Sequence, residues 1–520
     1  MHFFRIAGAK ALRLSLIASK GDRVGQDSVQ GAGRLLSGIQ SCTKQILGNK
    51  FGEELMISIV CLARLLTTQV SSTRKRARHS VCVSDVVCAC LAIALPLALA
   101  TGLAIMAAAQ QDSALALHGN PRAPISGSAV TSAGASQSRG ALPAQAAVEY
   151  FPARFDWQHK QPEEVGMNSA RLGEAVKQAI ATENVPSRDI AIFLATTFGA
   201  TEPFFTPIGP VQSRGPASGL IVRHGYIVAE WGEPQRVDMT FSVTKSFLTT
   251  LVGLAWQRGL IRDVNDYPRD YMPPGVDLFD APHNQKIKWE HLLRQTSDWQ
   301  GTLWGKPDWA DRPEGAKPAD WPNRKLWEPG THYKYNDVRV NVLALAALEV
   351  WRRPLPEVLR QEIMEPISAS STWRWYGYDN SWVEIDGQKM QSMTGGGHWG
   401  GGIFINAYDM ARFGYLFLRH GTWNGRNIVS EKWMEMARTP GPANDTYGYA
   451  NWFLNTGKKA LPAAPASAVY FEGNGNNIIY MDWENDIVAV VRWISGGSAL
   501  NDFLGKMLAA ISDSPNRSAR

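Results

Sequence analysis

The chain is predicted to fold as an α/β (α+β) protein in which an antiparallel sheet is flanked by helices and carries a mostly helical lobe. Three stretches carry that prediction. "SGLIVRHGYIVAEWG" sets two apolar runs around His224-Gly225, the pattern of a hairpin closed by a two-residue turn. "AVYFEGNGNNIIYMDW" and "DIVAVVRWI", separated by a turn at Glu484-Asn485, return to strands near the other end. Between these groups, residues 261–395 read as helices and loops and hold ten of the nineteen tryptophans. The simplest packing joins the first and last strands in one sheet and leaves the middle segment as a second lobe. A cleft would then lie between the lobes, a usual place for a small-molecule site.

The helices follow from periodicity. "NSARLGEAVKQAIATE" is amphipathic and precedes the first hairpin. "FSVTKSFLTTLVGLAWQRGL" opens as an extended end and continues as an apolar helix, and "SALNDFLGKMLAAI" closes the chain. Together these elements define one domain over residues 149–515. Its charge is almost balanced: residues 110–520 carry 40 Lys and Arg against 42 Asp and Glu, which argues against a nucleic-acid surface. All five cysteines (Cys42, Cys61, Cys82, Cys88 and Cys90) lie before this domain, so it has neither a disulfide nor a thiol site.

The first 109 residues differ in kind, with 13 basic residues against 5 acidic. Residues 1–80 read as a leader without clear purpose, and Met56 is a candidate later start. The basic cluster Arg74–Arg78 precedes segment 81–109, which holds an uncharged run of 24 residues from Val86 to Ala109. That run is long enough to span a bilayer and ends in small residues resembling a cleavage site, so it is either a signal peptide or a retained anchor. The basic flank stays cytoplasmic and the body is exported, to the periplasm or beyond, held to the membrane only through 86–109 if uncleaved. Residues 110–148, rich in Ser, Ala, Gly and Pro, form a linker.

Several common signatures are missing: no G-x-S-x-G elbow, no H-E-x-x-H and no Walker A loop. The eight histidines after residue 109 show no ligand-like pairing, so no metal or other cofactor is expected. G-x-G-x-x-G matches at Gly395–Gly400 without a βαβ unit, so it reads as a glycine-rich loop beside a cleft, with His398 and Trp399 as lining candidates. Ser-x-x-Lys occurs three times, and only Ser242–Lys245 has a fold around it. Ser242 opens an apolar helix, where serine serves as an N-cap and where the helix end favours negative charge. Lys245 lies one turn on, on the same face, where partial desolvation favours the neutral amine that a base requires. A Ser-His-Asp arrangement through Ser246 lacks both an elbow and a histidine partner.

These residues resemble the serine β-lactamase-related hydrolases, which include class C β-lactamases, D,D-peptidases, EstB-type esterases and 6-aminohexanoate-dimer hydrolase. "SVTKSF" is similar to their nucleophile motif, "IKWEHLLRQTSDW" and "PGTHYKYND" to two later motifs, and "GGGHWGGGIFINAYDMARFGYLFL" to the glycine loop and following helix. The resemblance covers roughly residues 160–510 and implies a β-lactamase/penicillin-binding-protein-like fold. It implies that Ser242 is the nucleophile, with Lys245 and the Tyr of a Y-x-N motif moving its proton. Tyr378–Asn380 and Tyr449–Asn451 match Y-x-N but lack the preceding "PG" turn, so Tyr335 takes the place, with Asp337 where the family has Asn. The family's K-T-G strand has its counterpart in "FEGNGNNIIY", where Asn474, Gly475 and Asn476 are expected to fill the three places and to help form an oxyanion hole. The implied chemistry is acyl transfer on a small ester or amide, with either Lys245 or Tyr335 as base. The alternatives are a true β-lactamase, a D-amino-acid peptidase, or a non-catalytic membrane-anchored sensor.

Overall fold

Apolar alternation places the predicted strands in one antiparallel sheet of the computed structural model, which describes residues 149–184 and 187–512. In chain order the regular elements begin with α1 (Ser169–Ala181), α2 (Ile190–Thr196), β1 (Ser218–Arg223), β2 (Tyr226–Trp231), β3 (Asp238–Met239) and α3 (Thr244–Gln257). The middle segment holds α4 (Trp289–Leu293), the small ribbon β4 (Thr302–Leu303) and β5 (Lys306–Pro307), α5 (Asp337–Trp351) and α6 (Leu355–Leu359). It continues through β6 (Arg374–Ile385), β7 (Gln388–Met393), β8 (Gly402–Ile405), α7 (Ala407–Leu418), the ribbon β9 (Thr422–Trp423) and β10 (Arg426–Asn427), and α8 (Glu431–Ala437). The chain ends with β11 (Phe453–Leu454), β12 (Val469–Gly473), β13 (Asn477–Asp482), β14 (Ile487–Arg492) and α9 (Gly496–Ala509).

The main sheet has the order β11-β12-β13-β14-β1-β2, so the first and last strands are neighbours, Ser218 pairing with Arg492. His224 and Gly225 both take positive φ, as a two-residue hairpin turn requires. The β13–β14 connection is longer than the Glu484-Asn485 pair, since Asp482 and Ile487 are the last partners. Successive residues of β14 face opposite layers. Ile487, Ala489 and Val491 meet α1 and α9 through Leu172, Ala175, Phe503 and Met507. Val488 and Val490 meet the other layer, where Phe247 of α3 stacks on Phe413 of α7 at 3.8 Å. A strand covered on both faces reads as an unbroken apolar run, which is what "IVAVV" is.

A second sheet, β3-β8-β6-β7, draws β6 and β7 from the segment 261–395 that the sequence marks as helices and loops. Its β6–β7 hairpin turns at Asp386-Gly387, both at positive φ. An Asp-Gly pair is a strong hairpin signal, masked here by the alternating charges around it. The two sheets are stitched by Arg492. Buried at the end of β14, it donates to the carbonyls of Met239 on β3 and Ile405 on β8, each at 2.7 Å, and to Asn477 Oδ1 at 2.9 Å. Among the described residues no helix is long and apolar enough to cross a membrane. The run at 86–109, the leader and the linker lie outside the described residues.

Arg492→Ala leaves three buried acceptors without their charged donor. Urea unfolding is expected to show a loss of about 3 kcal/mol, because hydrogen bonds to charged groups contribute roughly 1.5–3 kcal/mol each and are not additive. A loss below about 0.5 kcal/mol, the range of an ordinary surface change, would contradict this role.

Candidate functional site

Ser242 stands on a single 3-10 turn, Phe241–Val243, between β3 and α3. The turn is forced. Phe241 takes φ 49, a left-handed conformation that costs a non-glycine residue of order 1–3 kcal/mol. It is held there by burial against the ring edges of Phe193 at 6.4 Å and Trp493 at 6.3 Å. Ser242 does not cap the helix, for no side chain caps the first turn of α3. Its Oγ instead accepts a hydrogen bond from Lys245 Nζ at 2.7 Å. Ser242 is 8% exposed and Lys245 is fully buried.

The three N–H bonds of Lys245 reach Ser242 Oγ, Asp337 Oδ1 at 2.7 Å and the Gly395 carbonyl at 3.2 Å. Asp337 is the first residue of α5. Asn336 fixes that start by accepting the Arg339 amide at 3.0 Å and donating to the Asp308 carbonyl at 2.8 Å. Tyr335, immediately before, lies close enough to the Ser242 side chain to be lowered by it, and its ring lies 5.0 Å from both Lys245 Nζ and the Arg312 guanidinium. Burial, then the Asp337 charge, push the Tyr335 phenol well above its usual range, against the lowering effects of Ser242 and Arg312. At neutral pH it is therefore a protonated donor.

His398 sits behind this group, not in an open cleft. Its Nδ1 is 3.1 Å from Asp337 Oδ2 and its Nε2 is 3.0 Å from Glu202 Oε2, with Phe198 stacked on the ring at 4.3 Å. Trp399 is likewise fully buried. Both imidazole nitrogens thus face carboxylates, Nδ1 in a hydrogen bond and Nε2 at ion-pair distance, so His398 supports Asp337 and does not line an oxyanion hole. Asp337 also pairs with Arg312 at 3.5 Å, and its amide donates to Asp311, which itself pairs with Arg312. Burial alone would raise Asp337. Lys245, Arg312 and His398 overcome it and hold the carboxyl well below the usual range, whereas Asp311, penalised by burial and by Asp337, is pushed up. Glu202, Asp311 and His398 have donor atoms within 4.8 Å of one another, a spacing that could take a cation. Burial opposes a proton on His398, yet Asp337 and Glu202 lift the imidazole to about 9.

The strand expected to complete the site does so one step earlier than its Asn-Gly-Asn stretch. Asn474, Gly475 and Asn476 form the β12–β13 turn, and Asn476 Nδ2 donates away from Ser242, to the Ile494 carbonyl at 2.8 Å. Gly473 is the residue against the nucleophile turn. A Cβ there would stand 1.9 Å from the Thr240 carbonyl and 3.1 Å from the Ser242 amide, so only glycine lets β12 come this close. Of the two other Y-x-N matches, Tyr378 bonds Asn341 at 3.2 Å and Tyr449 bonds Glu290. Asn451 is a different matter. Its Nδ2 donates to the Ser242 carbonyl at 2.6 Å, so it anchors the nucleophile turn although its tyrosine does not serve the site. Of the two cations near "PGTHYKYND", Arg339 is tied to Asp298 at 2.8 Å and Asp308 at 3.3 Å, and Lys334 lies 3.6 Å from Glu314. Two cavities of about 310 and 430 Å³ lie elsewhere, lined by residues such as Arg360 and Trp373, and Tyr408 and Arg412.

The Beta-lactamase family model matches residues 220–501, more than half of the chain, and the chain belongs to that family. Similar solved structures include a penicillin-binding protein homologue from Caulobacter crescentus (13% identity, 66% of this chain and 99% of that one, TM-score 0.44). They also include a β-lactamase/D-alanine carboxypeptidase from Yersinia pestis (17%, 57% and 93%, TM-score 0.40) and a family VIII carboxylesterase (15%, 66% and 99%, TM-score 0.43). No curated protein matches.

The His398 proton has a consequence for stability. Its folded-state value, about 9, lies above the ordinary 6.5, so its contribution is full below about pH 6.5 and is lost as pH rises through 9. The melting temperature is expected to fall across that window, and His398→Gln should flatten the fall. An identical pH dependence in the two proteins would remove the imidazolium from the network.

Proposed function

We propose that the chain is an exported serine hydrolase that acts through a Ser242 acyl-enzyme on a small, uncharged ester or amide. The observation that carries this reading is the hydrogen bond from buried Lys245 Nζ to Ser242 Oγ, with Tyr335 beside the same side chain. Ser242 Oγ attacks the substrate carbonyl and its proton passes to Lys245, once that side chain has released to solvent one of the three protons it donates at rest. The oxyanion forms beside the Ser242 amide, at the edge of β12 and the start of α3. Tyr335, held as a phenol, gives its proton to the leaving group and regains one from Lys245. Water then attacks the ester by the reverse transfers, and Ser242 is released. Export is supported by the basic cluster and uncharged run at 74–109.

Substrate charge follows from what surrounds the oxyanion position. The family's K-T-G lysine helps to bind the carboxylate of β-lactams. Here the residues before the close-packed glycine are Phe471 and Glu472, Arg339 is tied to Asp298 and Asp308, and Lys334 lies 3.6 Å from Glu314 without a hydrogen bond among the described residues. A missing charge-assisted hydrogen bond costs roughly 1.5–3 kcal/mol, or about ten- to a hundredfold in binding. A non-catalytic sensor is the second reading, favoured by one observation: all three N–H bonds of Lys245 are occupied in the resting state.

Steady-state kinetics separate these readings. Turnover of p-nitrophenyl butyrate should vanish in Ser242→Ala, fall by about 10²–10⁴ in Lys245→Ala and Tyr335→Phe, and persist in Tyr449→Phe. On one preparation, kcat/KM for nitrocefin should lie at least about tenfold below that for the ester. A nitrocefin value equal to or above the ester value defeats the substrate assignment. No turnover of any ester, amide or β-lactam by folded protein favours the sensor.

A further inference from the structure

Behind Asp337, three separate chain segments bring polar side chains to one closed spot. Glu202 follows the 3-10 turn Phe198–Ala200, Asp311 follows the turn Asp308–Ala310, and His398 lies in the glycine-rich loop. They are 8%, 0% and 2% exposed, and one donor atom from each lies within 4.8 Å of the others. His398 Nε2 and Glu202 Oε2 stand 3.0 Å apart. Neither atom takes part in a hydrogen bond among the described residues, so they face each other without the alignment that a shared proton needs. A buried polar atom without a hydrogen bond is costly, and here two stand together.

The rest of each side chain is already fixed, as in a coordination site whose ligands are oriented by contacts further out. His398 Nδ1 is hydrogen-bonded to Asp337 Oδ2 at 3.1 Å, which leaves Nε2 as the open ring nitrogen. The ring is clamped by Phe198, stacked at 4.3 Å, and by Trp399 at 4.2 Å. Glu202 accepts the Arg312 amide through Oε1 at 3.2 Å, so Oε2 is the oxygen turned to the histidine. Asp311 accepts the Asp337 amide and pairs with Arg312. Imidazole nitrogen and carboxylate oxygen bind zinc at about 2.0–2.2 Å, and two such ligands on one ion stand about 3 Å apart. That is the spacing of Nε2 and Oε2. Two carboxylates match a divalent charge, and the imidazole binds it in the neutral form.

We propose that Glu202, Asp311 and His398 form a zinc site, anchored by His398 Nε2 and Glu202 Oε2 and closed by Asp311, with the fourth position left to water. The ion takes the place of the Nε2 proton, which leaves to solvent. It ties the loops at Glu202 and Asp311 to the glycine-rich loop, and so braces Asp337 from behind. The site stands independently of the serine-hydrolase reading, because the ion touches no reacting atom.

The test uses the full chain, stripped of metal with EDTA and with its five cysteines alkylated so that no thiol binds zinc. At pH 8, calorimetry with Zn²⁺ should give one ion per chain, and Mg²⁺, which does not favour imidazole, should not bind. At a hundredfold excess over its dissociation constant, zinc should raise the melting temperature by about 3 °C or more. Glu202→Gln should weaken zinc by at least about tenfold. His420→Gln, which alters an exposed histidine beside Glu431, should leave it unchanged. Circular dichroism of the metal-free Glu202→Gln protein shows whether it folds. If it does not, anomalous diffraction at the zinc edge from wild-type crystals decides, with a peak between His398 Nε2 and Glu202 expected. No bound zinc, a peak elsewhere, affinity that survives in Glu202→Gln, or affinity lost in His420→Gln overturns the inference.

Discussion

The buried ion pair between Lys245 and Asp337 is the constraint around which the site is arranged. Breaking such a pair by removing one partner typically costs 3–5 kcal/mol, because the survivor is left charged and unpaired. A neutral Asn, which the related hydrolases carry at this place, would need only ordinary hydrogen bonds. A carboxylate needs more positive charge, and the structure supplies it. Arg312 and the His398 imidazolium both reach Asp337 Oδ2, and each brings a further carboxylate with it, Asp311 and Glu202 respectively. Three acids are thereby balanced by three cations, all of them buried except Arg312, whose side chain reaches solvent. The result is a stiff support that aims Lys245 Nζ at Ser242 Oγ.

The fold brings the rest of the site to this pair through a few close approaches. Phe241 is held in a strained conformation by its neighbours, and this turns Ser242 toward the lysine. The glycines at 395 and 473 let two backbones come close, one to offer a carbonyl to Lys245 and one to lie beside the Ser242 amide. Arg492 fastens the main sheet to the second, which carries β3 and therefore the nucleophile turn. Asn451 pins the same turn by its carbonyl. Removal of any one of these would loosen the Ser242 geometry without touching the reacting atoms.

Much of this was legible in the sequence because it depends on short-range pattern. The hairpin at His224-Gly225, the apolar β14, the terminal helices and the Ser-x-x-Lys turn each follow from spacing or turn chemistry within a dozen residues. The order of motifs located Tyr335 and Asp337, some 90 residues from Lys245. What escaped was long-range or single-residue. Arg312 and Glu202 lie in loops with no periodicity, and only tertiary packing brings them to Asp337. His398 was singled out for the right loop, but its partners, two carboxylates distant in sequence, reverse its role from lining to support. The register of β12 was read toward Asn474, Gly475 and Asn476 because that stretch looks richer in turn residues. The glycine required by close packing is Gly473, and this places Phe471 where the lysine would stand and Glu472, an acid, between the two. The β6–β7 hairpin was hidden because its exposed face is charged and its apolar face is interrupted.

The central claim is that Ser242 is a nucleophile whose reactivity is set by Lys245 and its acidic partner. The most direct measurement is the rate at which a fluorophosphonate labels the folded protein as a function of pH, with the adduct located by peptide mass spectrometry, in the wild type and in Asp337→Asn. The account predicts a single adduct on Ser242 and a rise in labelling rate that moves to lower pH when the carboxylate is replaced, since the negative charge that favours the ammonium is gone. An adduct on another serine, or no adduct on folded protein, would contradict the assignment of the nucleophile, and an unshifted pH profile would contradict the part given to Asp337.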